Sequence, residues 1–163
     1  MKQFGLLRHA KSDWSDGSLD DFDRPLNKRG REAAEAMGPI IRGCGFDRVL
    51  ASSAKRVRET VELAGLTNVE FREDMYGASP DRLLSIAASA GGESQRLLMV
   101  GHNPTVHRLA DRLARDEDSQ ARHHLKHKFP TCALAVIGAE ISEWDELKRV
   151  TGVLERFVRP NDL

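Results

Sequence analysis

Apolar residues fall along this chain in two alternating patterns: short unbroken runs and longer stretches with helical spacing. Phe4–Leu7 is apolar and stops at a polar cluster, which reads as a short buried strand. Asn27 has the character of an N-cap, and Ala33, Ala34, Met37, Ile40, Ile41 and Cys44 then recur on one helical face until Gly43 and Gly45 end it. Phe46–Ala51 is the next strand, with Ser52-Ser53 expected to cap a second helix that carries Val57, Val61 and Ala64 and closes near Gly65. Val69–Phe71 reads as a short strand. Ser79-Pro80 opens a third helix with Leu83, Leu84, Ala87 and Ala90, and Gly91-Gly92 breaks it. Leu97–Val100 is wholly apolar and of strand length. A fourth helix with Val106, Leu109, Ala110 and Leu113 follows Asn103-Pro104, and Cys132–Ile137 and Val150–Val158 are the closing strands. Strands alternating with helices predict an α/β fold around a largely parallel sheet covered on both faces. In such sheets ligands bind beyond the carboxyl ends of the strands.

Composition narrows this picture. The chain has 163 residues, of which 40% are hydrophobic and 31% charged, excluding a disordered tail or a membrane protein and fitting one domain over 1–163. The apolar start is too short for a secretory leader, and the longest apolar stretch, Cys132–Ala139, is far below the roughly 20 residues of a membrane span. Cys44 and Cys132 are distant and form no CxxC pair, so they read as reduced core thiols of a cytoplasmic protein. Lys and Arg number 25 and so do Asp and Glu, which argues against general nucleic-acid affinity. That balance leaves room for a local basic pocket, because charge acts within a site.

The candidate chemistry lies at three strand ends. The first strand runs into Arg8-His9-Ala10-Lys11-Ser12, the second into Ser52-Ser53-Ala54-Lys55-Arg56, and the run at 97–100 into Gly101-His102-Asn103-Pro104. Parallel strands would bring all three to one sheet edge, gathering two histidines, two arginines and several helix starts. This set suits a phosphoryl dianion: guanidinium groups pair bidentately with phosphate oxygens, and helix N-termini add backbone donors. A neutral imidazole is a competent nucleophile, and nearby arginines lower its pKa and keep it unprotonated. One histidine would attack phosphorus while the other donates to the developing charge.

At these residues the sequence resembles the histidine phosphatase, or phosphoglycerate-mutase-like, superfamily. Leu6-Leu7-Arg8-His9-Ala10 is similar to its Arg-His-Gly signature, with Ala10 in place of the usual glycine. Arg24-Pro25-Leu26-Asn27-Lys28-Arg29-Gly30 is similar to its Pro-Leu-Thr-x-x-Gly segment. Ser52 to Thr60 resembles its Ser-x-x-x-Arg-x-x-x-Thr segment, with spacing that favours Arg56 over Arg58, and Gly101-His102-Asn103-Pro104 resembles its second histidine motif. The closing Arg159-Pro160-Asn161-Asp162-Leu163 is similar to the tail of the short SixA-type branch, the phosphohistidine phosphatases.

The resemblance implies a three-layer α/β/α sandwich and a phosphatase that needs no metal or other cofactor. His9 would be the nucleophile, with Arg8, Arg56 and His102 completing the phosphate pocket and Arg24, Asn27 and Asn103 contacting substrate. Larger members carry a carboxylate general acid; the candidates here are Asp74 and Glu73. The expected partner is a phosphate-bearing substrate, in the sharpest form a phosphohistidine protein, with Asp13–Asp23 as one rim of an open pocket and Arg24 as the other.

Three rival readings stand beside this one. The same site would serve small phosphoesters or pyrophosphates, or a phosphate-binding module without catalysis. His123 and His127 are spaced to share a helix face and, with His124, form the one group with metal-ligand character, although no HExxH pattern joins them. The bland reading of that group, and of His107, is surface or packing.

Overall fold

The computed structural model describes residues 1–163. Its centre is a six-stranded sheet of β1 (Lys2–Arg8), β2 (Arg48–Ser52), β3 (Val69–Arg72), β4 (Arg96–Gly101), β5 (Leu134–Ala139) and β6 (Val153–Val158), in the order β3-β2-β4-β1-β5-β6. β1 runs parallel to β4, with Leu6 opposite Met99, and antiparallel to β5, with Leu6 opposite Ala135. β2 is parallel to both β3 and β4, and β6 is antiparallel to β5. β5 is therefore the one reversed strand in an otherwise parallel sheet. This matters for the site: the start of β5 and the end of β6 both arrive at the carboxyl edge of β1, β2 and β4.

The period of two along each strand divides the core. Phe4, Leu6, Leu50, Leu97 and Met99 pack on one side with α3 (Pro80–Ala90), α4 (Thr105–Leu113) and α5 (Gln120–His127). Leu7, Val49, Ala51, Leu98 and Val100 pack on the other side with α1 (Lys28–Gly43) and α2 (Lys55–Leu63). The result is the expected three-layer sandwich. Leu97 and Leu98 are adjacent in sequence and fully buried in opposite layers, which explains why the run at 97–100 is apolar without alternation.

The helix starts follow from local chemistry, with one exception. The Asn27 side chain accepts a hydrogen bond from Gly30 N at 2.8 Å, and Ser79 does the same for Arg82 N at 3.1 Å ahead of Pro80. The expected Ser52-Ser53 cap does not form. Ala54 occupies the N-cap of α2 without a side-chain bond, because the Ser52 hydroxyl is turned to His102 instead. Helix α5 was not foreseen, since its only apolar members, Ala121 and Leu125, give almost no periodic signal. Its hold on the fold comes from Leu125, fully buried in the core, and from buried Arg122, whose Nη1 donates to Asp111 at 2.8 Å.

Several strand boundaries lie one to three residues from expectation, and two of them have a local backbone cause. β5 begins at Leu134, because Cys132 takes a left-handed backbone at φ 61° and its N–H bonds the carbonyls of Arg8 and His9 at 3.1 and 3.0 Å. β6 begins at Val153, past the tight approach of Gly152 to the Gly138 backbone, where a Cβ would collide.

Candidate active site

Arg8 is the last residue of β1, and His9 follows it into the turn. The loop is held from both sides: His9 N donates to Gly101 O at 3.0 Å, and Ala10 N donates to Thr60 Oγ1 at 3.0 Å. Thr60, fully buried on α2, donates its own hydroxyl hydrogen bond to Arg56 O at 2.7 Å. The first and second motifs are thus tied by one hydroxyl, which is what their shared spacing achieves in space.

The His9 ring is buried, and its Nδ1 lies 2.7 Å from Ala10 O. A carbonyl only accepts, so Nδ1 carries the proton and Nε2 keeps its lone pair. Burial pushes the His9 pKa down to about 3; the Ala10 carbonyl opposes this, and His102, Arg56 and Arg8 add to it. The ring is neutral at physiological pH. His102 stands opposite, with ring centroids 5.3 Å apart, and its pKa is lowered to about 4 by burial first and by Arg56 second. Arg56 Nη2 faces His102 Nδ1 at 3.4 Å and can only donate, so the His102 proton sits on Nε2 and goes to Ser52 Oγ at 2.9 Å.

The arginines sit around these rings. Arg8 Nη1 donates to Phe129 O at 3.0 Å, while Arg8 Nε and Arg56 Nε are buried without an acceptor. A buried donor left unmade costs about 1–3 kcal/mol, so both guanidinium groups are predisposed to accept an anionic partner. Arg24 is buried against Ser12 Oγ at 3.1 Å, with its guanidinium stacked 3.3 Å above the exposed Trp14 ring. Together Arg8, His9, Arg24, Arg56, His102 and Asn103 line a cavity of about 890 Å³ at the carboxyl edge of the sheet.

The structure differs from expectation at four positions. Asn27 does not reach the cavity, because its side chain is spent on the α1 cap. Glu73 and Asp74 lie outside it as well; Asp74 is held by Arg72 at 2.8 and 2.9 Å, an ion pair within its own turn. The carboxylate that does come to the site is Asp21. It pairs with Arg56 at 3.0 Å and Arg24 at 3.1 Å and accepts from Tyr76 Oη at 2.6 Å. These bonds, Tyr76 first, hold its pKa down at about 2. Asp21 pairs with both arginines from behind the cavity lining, so it and Arg24 lie on the same side of the pocket rather than on opposing rims. Nothing in the sequence separated Asp21 from Asp13, Asp16, Asp20 and Asp23; only the fold brings it to Arg56.

Other wall residues were also missed. Lys128, Pro130 and Thr131 arrive with the start of β5, and Arg159 to Asp162 with the end of β6. The likeness of the closing segment to the SixA-type tail was the one available signal. Asn103 lines the cavity, with Nδ2 donating to Phe129 O at 3.0 Å. His107 is bound to Leu125 O at 2.6 Å, and His123 faces Asp118 at 3.4 Å; no three His, Cys, Asp or Glu side chains cluster as a metal set would. No helix is long and apolar enough to cross a membrane.

Known proteins are similar to this chain in sequence and fold. The family model described as histidine phosphatase superfamily (branch 1) matches residues 4–76. An uncharacterized Mycobacterium tuberculosis protein, Rv1276c, is 37% identical over 136 residues, covering 80% of this chain and 85% of its own. The chain belongs to the histidine phosphatase superfamily, and within it to the SixA-type branch. The proposed phosphohistidine phosphatase SixA from Nakamurella multipartitia superposes with a TM-score of 0.84 at 29% identity, over 98% of this chain and 96% of the other. Its proposed counterpart from Agrobacterium tumefaciens gives a TM-score of 0.79 at 30% identity, over 98% of both chains. Membership makes this protein a phosphohydrolase acting on a phosphate-bearing substrate.

Proposed function

We propose that this protein hydrolyses protein phosphohistidine through a covalent intermediate on His9, without a metal ion, in the cytoplasm. The observation that carries the reading is the 2.7 Å bond from His9 Nδ1 to Ala10 O, which leaves Nε2 unprotonated in a neutral ring. In the first step the Nε2 lone pair forms a bond to phosphorus. The bond from phosphorus to the leaving nitrogen breaks, and that imidazole takes a proton from solvent. In the second step water attacks the phosphoryl group on Nε2, that P–N bond breaks, and the water proton passes to solvent with orthophosphate as product. Arg8 and Arg56 supply fixed positive charge to the equatorial oxygens, and His102, whose single N–H goes to Ser52 Oγ in the free protein, supplies a hydrogen bond once that N–H is exchanged from Ser52 to the phosphoryl group.

The leaving group follows from the acid-base inventory. Asp21 is ionised at any physiological pH and is a poor proton donor while paired with Arg56. A sugar alkoxide needs a positioned acid to leave; an imidazole needs far less help. The proximity of the proposed SixA phosphatases supports the same substrate class.

The test is to trap an acid-labile ³²P adduct on the wild-type chain and on His9→Ala, and to compare kcat/KM for a phosphohistidine protein, p-nitrophenyl phosphate, nucleotides and sugar phosphates. An adduct that disappears in His9→Ala, with phosphohistidine as the preferred substrate, is expected. An adduct that persists, or no turnover of any of these compounds, sinks the mechanism.

A further inference from the structure

Ser52 and His102 leave the ends of neighbouring strands together, because β2 and β4 pair Ala51 with Val100. His102 Nε2 lies 2.9 Å from Ser52 Oγ, and its Nδ1 lies 3.4 Å from Arg56 Nη2. The two nitrogens of an imidazole point in nearly opposite directions. Ser52 is fully buried and stands outside the cavity lining, whereas His102 and Arg56 belong to it. Nδ1 is therefore the nitrogen on the side of the phosphoryl pocket, and Nε2 faces the wall behind.

The polar hydrogens of this corner do not all find acceptors in the free protein. With the His102 proton on Nε2, Ser52 Oγ accepts from it and also from Ala54 N at 3.3 Å. Both neighbours are then donors, and the hydroxyl proton of a fully buried serine has no acceptor. With the proton on Nδ1 instead, Ser52 donates to Nε2 and is satisfied, but the ring N–H meets an Arg56 N–H, donor against donor. Each tautomer strands a polar hydrogen, and burial makes that costly. An anionic oxygen set between Nδ1 and Arg56 removes the conflict: it accepts from both, and Ser52 donates to Nε2. Turning the whole ring would instead disturb its packing against His9 and Tyr76, whose ring centroids lie 5.3 and 5.6 Å away.

We infer that Ser52 is a positioning residue that switches the tautomer of His102: Nε2–H in the free site, Nδ1–H when a phosphoryl oxygen occupies it, with the Ser52 hydroxyl changing from acceptor to donor. One N–H bond breaks at Nε2 and one forms at Nδ1, both protons exchanging with water, and the ring is neutral in both end states. His102 becomes a donor towards the pocket only when an anion is there to accept. The same switch accounts for the cap that α2 goes without, since the serine at its start is held for His102. The inference rests on the quartet of Arg8, His9, Arg56 and His102 holding the phosphoryl group.

Nitrogen-15 NMR of the full chain reads the tautomer directly, because protonated and unprotonated ring nitrogens resonate far apart. The His102 signals are assigned by their loss in His102→Gln, and spectra are taken at neutral pH with and without orthophosphate. The expected result is a protonated Nε2 in the free protein and a protonated Nδ1 at saturating orthophosphate. The Nε–H signals of Arg8 and Arg56, buried without acceptors, should shift as the anion binds. A His102 that keeps Nε2–H while the arginine signals shift, or that carries Nδ1–H already in the free protein, overturns the switch. Arginine signals that stay fixed at every orthophosphate concentration reject the phosphoryl pocket itself, so the two failures are distinguishable. Ser52→Ala gives a second readout with p-nitrophenyl phosphate. One transition-state hydrogen bond is worth roughly tenfold, so kcat should fall by about that factor, while KM stays within about threefold because Arg8 and Arg56 still hold the ground state. A kcat within about twofold of wild type overturns the role of Ser52. The NMR comparison needs no variant at Ser52, so it decides the matter even where Ser52→Ala fails to fold.

Discussion

Asp21 grips Arg56 with both its backbone and its side chain: the carbonyl accepts from Nη1 at 2.7 Å and the carboxylate from Nη2 at 3.0 Å. The donors that Asp21 engages are the ones a phosphoryl group would use. The Asp21 side chain is half exposed, so the pair contributes only about 0–1 kcal/mol to stability. Its weight falls on ligand exchange. Asp21→Asn is expected to leave the Tm nearly unchanged and to tighten inhibition by orthophosphate several-fold, because a competing anion is gone. Weaker inhibition in parallel with lost activity would show that Asp21 serves only to position Arg56.

Thr60 joins the nucleophile loop to α2 through a fully buried hydroxyl that accepts from Ala10 N and donates to Arg56 O. Thr60→Val keeps the shape and strands one buried N–H. The expected cost is about 1–3 kcal/mol in denaturant unfolding. Activity should fall by more than the folded fraction does, since His9 and Arg56 both lose their tether.

Gly30 is the contact point between α1 and the Lys11 carbonyl, with no room for a Cβ. In an exposed helix Gly→Ala stabilises by about 1 kcal/mol. Here Gly30→Ala is expected to reverse that sign, lowering stability and pushing the first turn of α1 off the nucleophile loop. A gain in Tm with full activity would refute the close approach.

The histidine pair makes stability depend on pH in one direction. Both imidazoles have pKa values lowered in the folded chain, to about 3 and about 4, by burial first. The unfolded chain binds their protons near pH 6.5 while the native chain does not, so stability is full above that pH and falls as pH drops. At pH 5 each histidine is expected to cost about 2 kcal/mol relative to pH 7. Urea titrations at both pH values test this, and His102→Gln should flatten the difference by about half.

Much of the fold was legible because its determinants are local. The apolar runs at 4–7 and 97–100 form β1 and β4 with one or two residues added at each end, and Asn27 and Ser79 cap α1 and α3 as side-chain chemistry requires. The reversed direction of β5 was not legible, because strand pairing sets direction and an apolar run looks the same either way. Nor was α5, which is held by only one fully buried apolar side chain, Leu125, together with the Arg122 contacts to Asp111.

The site divides along the same line. Arg8, His9, Arg56 and His102 could be chosen from the sequence because each ends or closely follows a strand, and parallel strands share an edge. What the sequence alone determined is therefore the alternation of elements, the family motifs and the four residues they carry. The tertiary structure decided the rest: that Asp21 rather than Asp74 meets the arginines, that Asn27 is spent on a cap, and that Lys128 and Arg159 close the cavity walls. The physical reason is that local backbone preferences are set by neighbours a few residues away. Asp21 meets Arg56 across 35 positions, and Lys128 reaches Arg8 only through Phe129, across 121. Such meetings exist only once the sheet has ordered its strands.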